Sequence, residues 1–414
     1  MKATIIAIGD ELLIGQVLDT NTQWISQQCT SLNINIINHL TIKDGVDSAV
    51  EVINRAFDEC DLLILTGGLG PTNDDYTVSA LAQYYGMPIS FHQPTWDRLK
   101  AYFASRGRKP EDALRQQAML PEGITLLTND MGTAPGMYYY RGGKHLVSFP
   151  GVPYEMKHLF LDRFIPIIQS FIGQEKLIQR TILTVGMGET SIAEKISEIE
   201  SNMADGLTLA YLPDIGKVRL RISGIGEDGQ LLQEKVDEVS HSIMQILGEA
   251  VYGEGDMTLS QALQELMHRK KMTLGLAESC TGGNISKHIT AIPGSSRFYK
   301  GGIVSYANEI KESVLGVRRE SIESFGAVSE VVAREMADGA LRVLDVDIAA
   351  SVTGIAGPDG GSETKPVGTF WVGLAIKGGE TQAYKINFNR DRERNIEYVT
   401  VYVLNRIRLC VNDN

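Results

Sequence analysis

The sequence predicts an α/β protein in which two α/β domains flank a small α+β unit. Three observations carry this. Short β-rich runs alternate with helical patterns toward both ends of the chain, the pattern of parallel α/β sheets. The 414 residues exceed the roughly 250–300 at which a single core stops growing. A stretch in the middle reads β-α-β-β-α instead.

In the first block, residues 1–170, strands are expected at 3–8, 33–38, 62–65 and 145–149. A helix is expected over 47–58, where Ala49, Val50, Val52, Ile53, Ala56 and Phe57 recur at helical spacing. The middle block, 174–255, carries expected strands at 180–185, 207–212 and 217–222 and helices at 191–199 and 231–247. Gly253-Glu254-Gly255 reads as its boundary. The third block, 257–414, opens on a helix at 259–269. Strands follow at 272–277, 302–306, 348–352 and 370–376, and a helix over 393–409 closes the chain.

Hydrophobic residues make up 43% and charged residues 22% of the chain, the balance of ordinary globular domains. The net charge is −12, which disfavours phosphate backbones and anionic membrane surfaces. The densest basic runs, 106–109 and 390–394, are short. The four cysteines, Cys29, Cys60, Cys280 and Cys410, show no C-x-x-C spacing, which argues against a zinc site and a disulfide framework. No stretch of about 18 apolar residues predicts a membrane span. The first residues lack a signal-peptide pattern, so the cytoplasm is the expected location.

Chemistry is most legible at A-E-S-C-T-G-G, residues 277–283. Ser279 and Cys280 follow an apolar run and precede two glycines, as a nucleophile at a strand end entering a helix does. Backbone N–H groups at that helix start suit an oxyanion. A serine needs a base. The third block offers only His268 and His288, neither in a recognisable motif. Lys311, in the first turn of a helix expected to be capped near Asn308, is the remaining candidate. Partial desolvation and the helix-end dipole favour its neutral form, as in Ser-Lys enzymes; a solvated helix lysine is the alternative. A second feature repeats: Leu62–Pro71 and Ala349–Pro358 are both apolar strands ending in T-G-x-x-G-P, whose glycines allow backbone N–H groups to approach an anion.

A-E-S-C-T-G-G, K-G-G-I-V-S-Y-A-N-E-I-K-E-S-V-L-G-V, G-A-V-S-E and S-V-T-G-I-A-G-P-D-G-G-S-E-T-K-P-V-G-T-F-W-V-G together resemble the nicotinamide mononucleotide deamidase domain of the CinA (competence/damage-inducible) family. T-G-G-L-G-P-T-N-D-D-Y-T, with A-I-G-D-E-L-L-I-G-Q-V-L-D-T-N-T-Q-W-I-S and F-P-G-V-P-Y-E-M, resembles that family's molybdopterin-binding-like domain, and the middle block its K-homology-like insert. The resemblance covers essentially the whole chain. It implies an amidohydrolase that converts nicotinamide mononucleotide to nicotinate mononucleotide and ammonia in pyridine-nucleotide recycling, without a cofactor. Ser279 would be the nucleophile, Tyr306 and Lys311 its activating partners, and Cys280 a bystander. Backbone groups around Thr281, Gly282 and Gly283 would hold the oxyanion or nucleotide, and Thr353, Gly354 and Gly357 would line the phosphate side.

For the first block the resemblance implies a second activity, a divalent-metal-dependent ADP-ribose pyrophosphatase. Its site would use Gly67, Gly68, Gly70, Thr72, Asp74, Asp10 and Asp44, with Asp75 and Glu11 on the metal. The family pattern reads T-H-D-D-L-T at this loop, whereas Asn73 and Tyr76 stand here for the histidine and leucine. Asn73 cannot act as a base, so a domain of purely structural or regulatory use stands beside the enzymatic reading. In the middle block, 7 Lys and Arg against 14 Asp and Glu, with Gly186-Met187-Gly188-Glu189 in place of G-x-x-G, argue against nucleic-acid binding and for a spacer or dimer-forming role. The expected partners are small nucleotides and a second copy of the chain. A non-catalytic nucleotide- or pterin-binding regulator is the alternative function.

Overall fold

The apolar runs of the first block meet at the centre of one sheet. In the computed structural model, which describes residues 1–70, 76–173 and 175–413, the strands here are β1 (Lys2–Ile8), β2 (Asn35–Ile42), β3 (Leu62–Thr66), β4 (Ile89–Phe91), β5 (Met119–Pro121), β6 (Thr125–Leu127), β7 (Gly136–Arg141) and β8 (Lys144–Phe149). Six form a sheet in the order β2-β1-β3-β8-β7-β6. Its first four strands are parallel, and β7 and β6 continue antiparallel. β4 and β5 pair separately.

Side chains alternate across the pleat. Ala3 and Ile5 of β1 face the helix Thr20–Ser31 and the helical stretch 153–168 through Ile25, Met156, Phe160 and Phe164. Ile6 and Ile8 face the helices Val46–Glu59 and Thr77–Tyr85 through Ile53, Phe57 and Leu81. β2 starts two residues later than expected, because Asn33 takes a left-handed φ of 55° and Ile34 N–H closes back on the Cys29 carbonyl.

The middle block forms β9 (Lys176–Val185), β10 (Leu207–Asp214), β11 (Lys217–Gly226) and β12 (Val251–Glu254), ordered β10-β11-β9-β12. The helices Glu189–Ser201 and Gly229–Leu247 pack Ile192, Ile196, Val236 and Ile243 onto Val218, Leu220 and Ile222. The expected boundary at Gly253 is instead part of β12, an edge strand antiparallel to β9 whose register shifts between Val251 and Gly253. Glycine in a strand commonly marks such an irregularity.

The third block forms β13 (Leu274–Glu278), β14 (Tyr299–Val304), β15 (Ile348–Gly354), β16 (Thr369–Ile376) and β17 (Gln382–Asn387), ordered β14-β13-β15-β16-β17. β13 is parallel to both neighbours, while β16 and β17 run antiparallel. Leu274 and Leu276 face the helices Leu259–Lys270, Asn284–Thr290 and Arg392–Asp413. Ala277, on the other face, meets Val332, Met336 and Ala340 of the helix Glu330–Leu344. β14 ends two residues before the expected 306, since Ser305 and Tyr306 already turn toward the next helix. β17 was not expected: its half-exposed Q-A-Y-K-I-N is a weak apolar signal.

By internal contacts the chain divides into Met1–Leu177 with Gly226–Gly229, and Ile178–Ile225 with Gln230–Asn414, so the middle and third blocks share one unit. Among the described residues no helix is long and apolar enough to cross a membrane.

Candidate active site

Strand parity and topology build the site at the carboxyl end of β13, where parallel sheets place their ligands. Ser279 directly follows β13, and its N–H is held by the Val352 carbonyl of β15 at 3.0 Å. On the other side, Ser305 N–H donates to the Glu278 carbonyl at 2.8 Å, and the chain then enters the helix Asn308–Ser313 carrying Lys311. Its N-cap is Ala307 rather than Asn308, with no side-chain cap.

Lys311 is 1% exposed and Ser279 8%. Lys311 Nζ lies 3.0 Å from Ser279 Oγ. The same nitrogen donates to the Ser305 carbonyl at 2.7 Å and the Tyr306 carbonyl at 3.2 Å. Nζ thus donates to three oxygens; in the neutral form two N–H groups would stay on the carbonyls and the lone pair would face the serine hydroxyl. Burial pushes the Lys311 ammonium below the ordinary lysine range, and among the described residues no carboxylate forms an ion pair with it. Neither histidine of this block reaches Ser279. His288 pairs with Glu397 at 3.1 Å, and His268 packs edge-on to Phe298.

Cys280 is buried, and desolvation pushes its thiol up to about 12, which leaves it a poor nucleophile near neutrality. Tyr306 corrects an expectation. Its side chain is 62% exposed, and its hydroxyl accepts from Arg392 Nη2 at 3.3 Å rather than bonding to Ser279 or Lys311. Its part in the lysine's surroundings is played by the main-chain carbonyl.

The expected anion donors change as well. The Gly282 amide donates to the Ser279 carbonyl at 3.1 Å, and the Gly283 amide to Glu278 Oε2 at 3.0 Å. Asn284 N–H donates to the Thr281 carbonyl. Among the described residues, only the Cys280 and Thr281 amides in this turn donate to no other residue. The Thr281 hydroxyl faces inward to Glu278 Oε2 at 2.7 Å. Thr353 is 1% exposed and its hydroxyl bonds to the Ala327 carbonyl at 2.8 Å, so that hydroxyl is turned away from a phosphate; Gly354 packs against Phe370. Gly357 does border the site, but through its carbonyl, which accepts from Arg392 Nη1 at 2.7 Å.

Two residues escaped sequence reasoning. Arg392, at the start of the last helix, bridges the Gly357 loop and Tyr306; it lay within a short basic run with no motif. Glu278 is fully buried. A carboxylate closing an otherwise apolar strand was its only signal.

The N-terminal domain holds a separate cavity of about 490 Å³, lined among others by Glu11, Asp19, Asn21, Asp44, Gly67, Gly68 and Gly70. Gly67 has φ 107°, and a Cβ there would meet the Ile8 carbonyl at 2.3 Å, so only glycine brings the T-G-G loop this close to β1. Asp10 is not among the lining residues; it exchanges hydrogen bonds with Asp44, each backbone N–H donating to the other's carboxylate at 3.1 and 3.3 Å. Thr72, Asp74 and Asp75 lie outside the described residues. Among the described residues no three His, Cys, Asp or Glu side chains gather to hold a metal ion.

Residues 256–411 match the CinA C-terminal domain. Residues 4–170 match the family described as "Probable molybdopterin binding domain", and residues 179–253 match the "Damage-inducible protein CinA KH domain". A CinA-like protein of Chloroherpeton thalassium is 40% identical over 100% of both chains. A CinA-like protein of Cytophaga hutchinsonii is 37% identical over 98% of this chain and 97% of its own. The crystal structure of competence damage-inducible protein A (ComA) from Klebsiella pneumoniae is 34% identical, covers 36% of this chain and 93% of its own, and has a TM-score of 0.36.

Proposed function

The chain belongs to the CinA family, and from that membership and the site geometry we propose that its C-terminal domain is a serine amidohydrolase acting on nicotinamide mononucleotide. The observation that carries this reading is the 3.0 Å contact between Ser279 Oγ and a buried Lys311 Nζ.

In the first step neutral Lys311 takes the Ser279 proton as Oγ attacks the carboxamide carbon. The developing oxyanion is received by the Cys280 and Thr281 amides, the donors left in the turn. The tetrahedral intermediate collapses, the C–N bond breaks, and the leaving nitrogen takes the proton from the Lys311 ammonium to depart as ammonia. Lys311, neutral again, activates water against the acyl-serine; the second collapse releases nicotinate mononucleotide and returns the proton to Ser279. The balance is substrate plus water to acid plus ammonia. The pyridinium charge makes the carboxamide more electrophilic and assists the first attack.

Ammonia release from nicotinamide mononucleotide tests this. Ser279→Ala should fall to about a thousandth of wild type or less, while Cys280→Ala should keep most activity. An unchanged rate in Ser279→Ala would sink the reading; selective loss in a folded Cys280→Ala would move the nucleophile to the thiol.

For the N-terminal domain, the glycine-walled cavity supports a second reading, binding of a nucleotide or pterin. No metal-dependent step is assigned to it.

A further inference from the structure

We propose that Glu278 is a positioning residue for Ser279: its carboxylate folds the turn that presents the nucleophile and the Cys280 and Thr281 amides. The proposal rests on the amidohydrolase reading of this site.

Strand parity puts Glu278 on the same face of β13 as Leu274 and Leu276, under the helix Asn284–Thr290, and burial there is complete. A buried carboxylate without a cation needs several donors. Oε2 accepts from Thr281 Oγ1 at 2.7 Å, Gly283 N–H at 3.0 Å and Ile285 N–H at 3.1 Å. Oε1 accepts from Ser286 N–H at 2.9 Å and Ser286 Oγ at 2.6 Å. All five come from the segment directly after the nucleophile. The Glu278 carbonyl meanwhile takes Ser305 N–H at 2.8 Å, and the Ser305 carbonyl holds Lys311 Nζ. One residue therefore ties together the serine's turn and the lysine's cradle.

The arrangement is itself supported. Ser286 Oγ lies 2.6 Å from Tyr299 Oη, and a Cβ on Gly302 would sit 2.4 Å from that Oγ and 2.5 Å from that Oη. Position 302 is thus kept bare for the pair that backs the carboxylate. The amides at 283, 285 and 286 are filled from within the protein and are not available to a substrate phosphate. The amides of Cys280 and Thr281 remain for the reacting carbonyl. Catalytic geometry is sensitive to shifts of about 1 Å, which cost on the order of 100-fold in rate. A residue acting only as a cap would alter stability and leave turnover alone.

The test uses the full chain. Ammonia release by wild type and its loss in Ser279→Ala first establish the amidohydrolase reading. Glu278→Gln keeps the size but turns an NH₂ toward existing donors; Glu278→Asp keeps the charge but is one methylene short. Glu278→Gln should lose about 100-fold in kcat with KM within about threefold, and Glu278→Asp should recover part of it. A Glu278→Gln kcat within threefold of wild type overturns the proposal, as does a rise in KM with kcat unchanged. Should Glu278→Gln fail to fold, Gly302→Ala displaces Ser286 and Tyr299 without touching either Glu278 or Ser279; a kcat loss of about tenfold at constant KM is expected, and unchanged kcat overturns it. Should wild type release no ammonia, the amidohydrolase reading falls separately. The rate of Ser279 phosphonylation by a fluorophosphonate, read by intact mass, then still decides: a fall in Glu278→Gln supports the positioning role and an unchanged rate rejects it.

Discussion

Lys311 pays a cost in stability for a place in the site. Burial holds its folded-state value below the ordinary lysine value of 10.5. The unfolded chain therefore binds more protons between the folded and unfolded values. The lysine's contribution to stability is complete above the unfolded value and is lost as pH falls toward the folded one. At pH 7 the side chain is a burden, so Lys311→Met should melt no lower than wild type while activity falls about 10³-fold or more. Activity needs the neutral amine, so kcat/KM should rise with pH along one acid limb and level off below pH 10.5. A Lys311→Met variant that keeps its activity, or a limb centred on the ordinary value, would contradict the assignment. Ser279 and Lys311 were legible in sequence because each sits in a short motif beside a strand end. The Tyr306 role was not, because spacing cannot tell a phenol that turns outward from a carbonyl that turns in. Glu278 was hidden for a related reason: which of two adjacent polar residues at a strand end is buried depends on the helix that later covers that face.

At the scale of elements, the last helix closes the site. Arg392 in its first turn joins the Gly357 carbonyl to Tyr306. Asn395, one turn on and fully buried, holds the Ala356 carbonyl at 3.0 Å. Asn284, at the start of the helix after the nucleophile, donates to Glu397 and Thr400 of the same element. The T-G-I-A-G-P loop is thereby held through its Ala356 and Gly357 carbonyls. Arg392→Ala should release both partners and raise KM about tenfold or more, at a stability cost of about 1–3 kcal/mol; unchanged KM would detach the loop from substrate binding. The central strands were readable as continuous apolar runs, since they are covered on both faces. The edge strands β12 and β17 were not, because one carries a glycine irregularity and the other is half exposed with polar residues interleaved.

At the scale of the molecule, the middle and third blocks form one unit, and Arg408 is a visible link. Its guanidinium reaches the Glu249 and Val251 carbonyls from the closing helix, and burial lowers its pKa from the ordinary arginine value. Arg408→Ala leaves those carbonyls without this donor and should cost about 1–3 kcal/mol. For a unit of this size that is a fall of roughly 2–12 °C in Tm, with the rate of ammonia release unaffected below the transition. An unchanged Tm would mean that apolar packing alone joins the blocks. The sequence divides these blocks at a glycine pair, but the contacts that join them are long-range and leave no local pattern.

The burial of Cys280 gives the protein a built-in clock. Its thiol is shielded and held far from thiolate, yet it is next in chain to the reacting hydroxyl. A disulfide reagent can reach it only while the turn is open, so its labelling rate, measured against the half-buried Cys410, reports the population of the open turn. Occupancy by substrate or inhibitor should slow that clock without any turnover being observed.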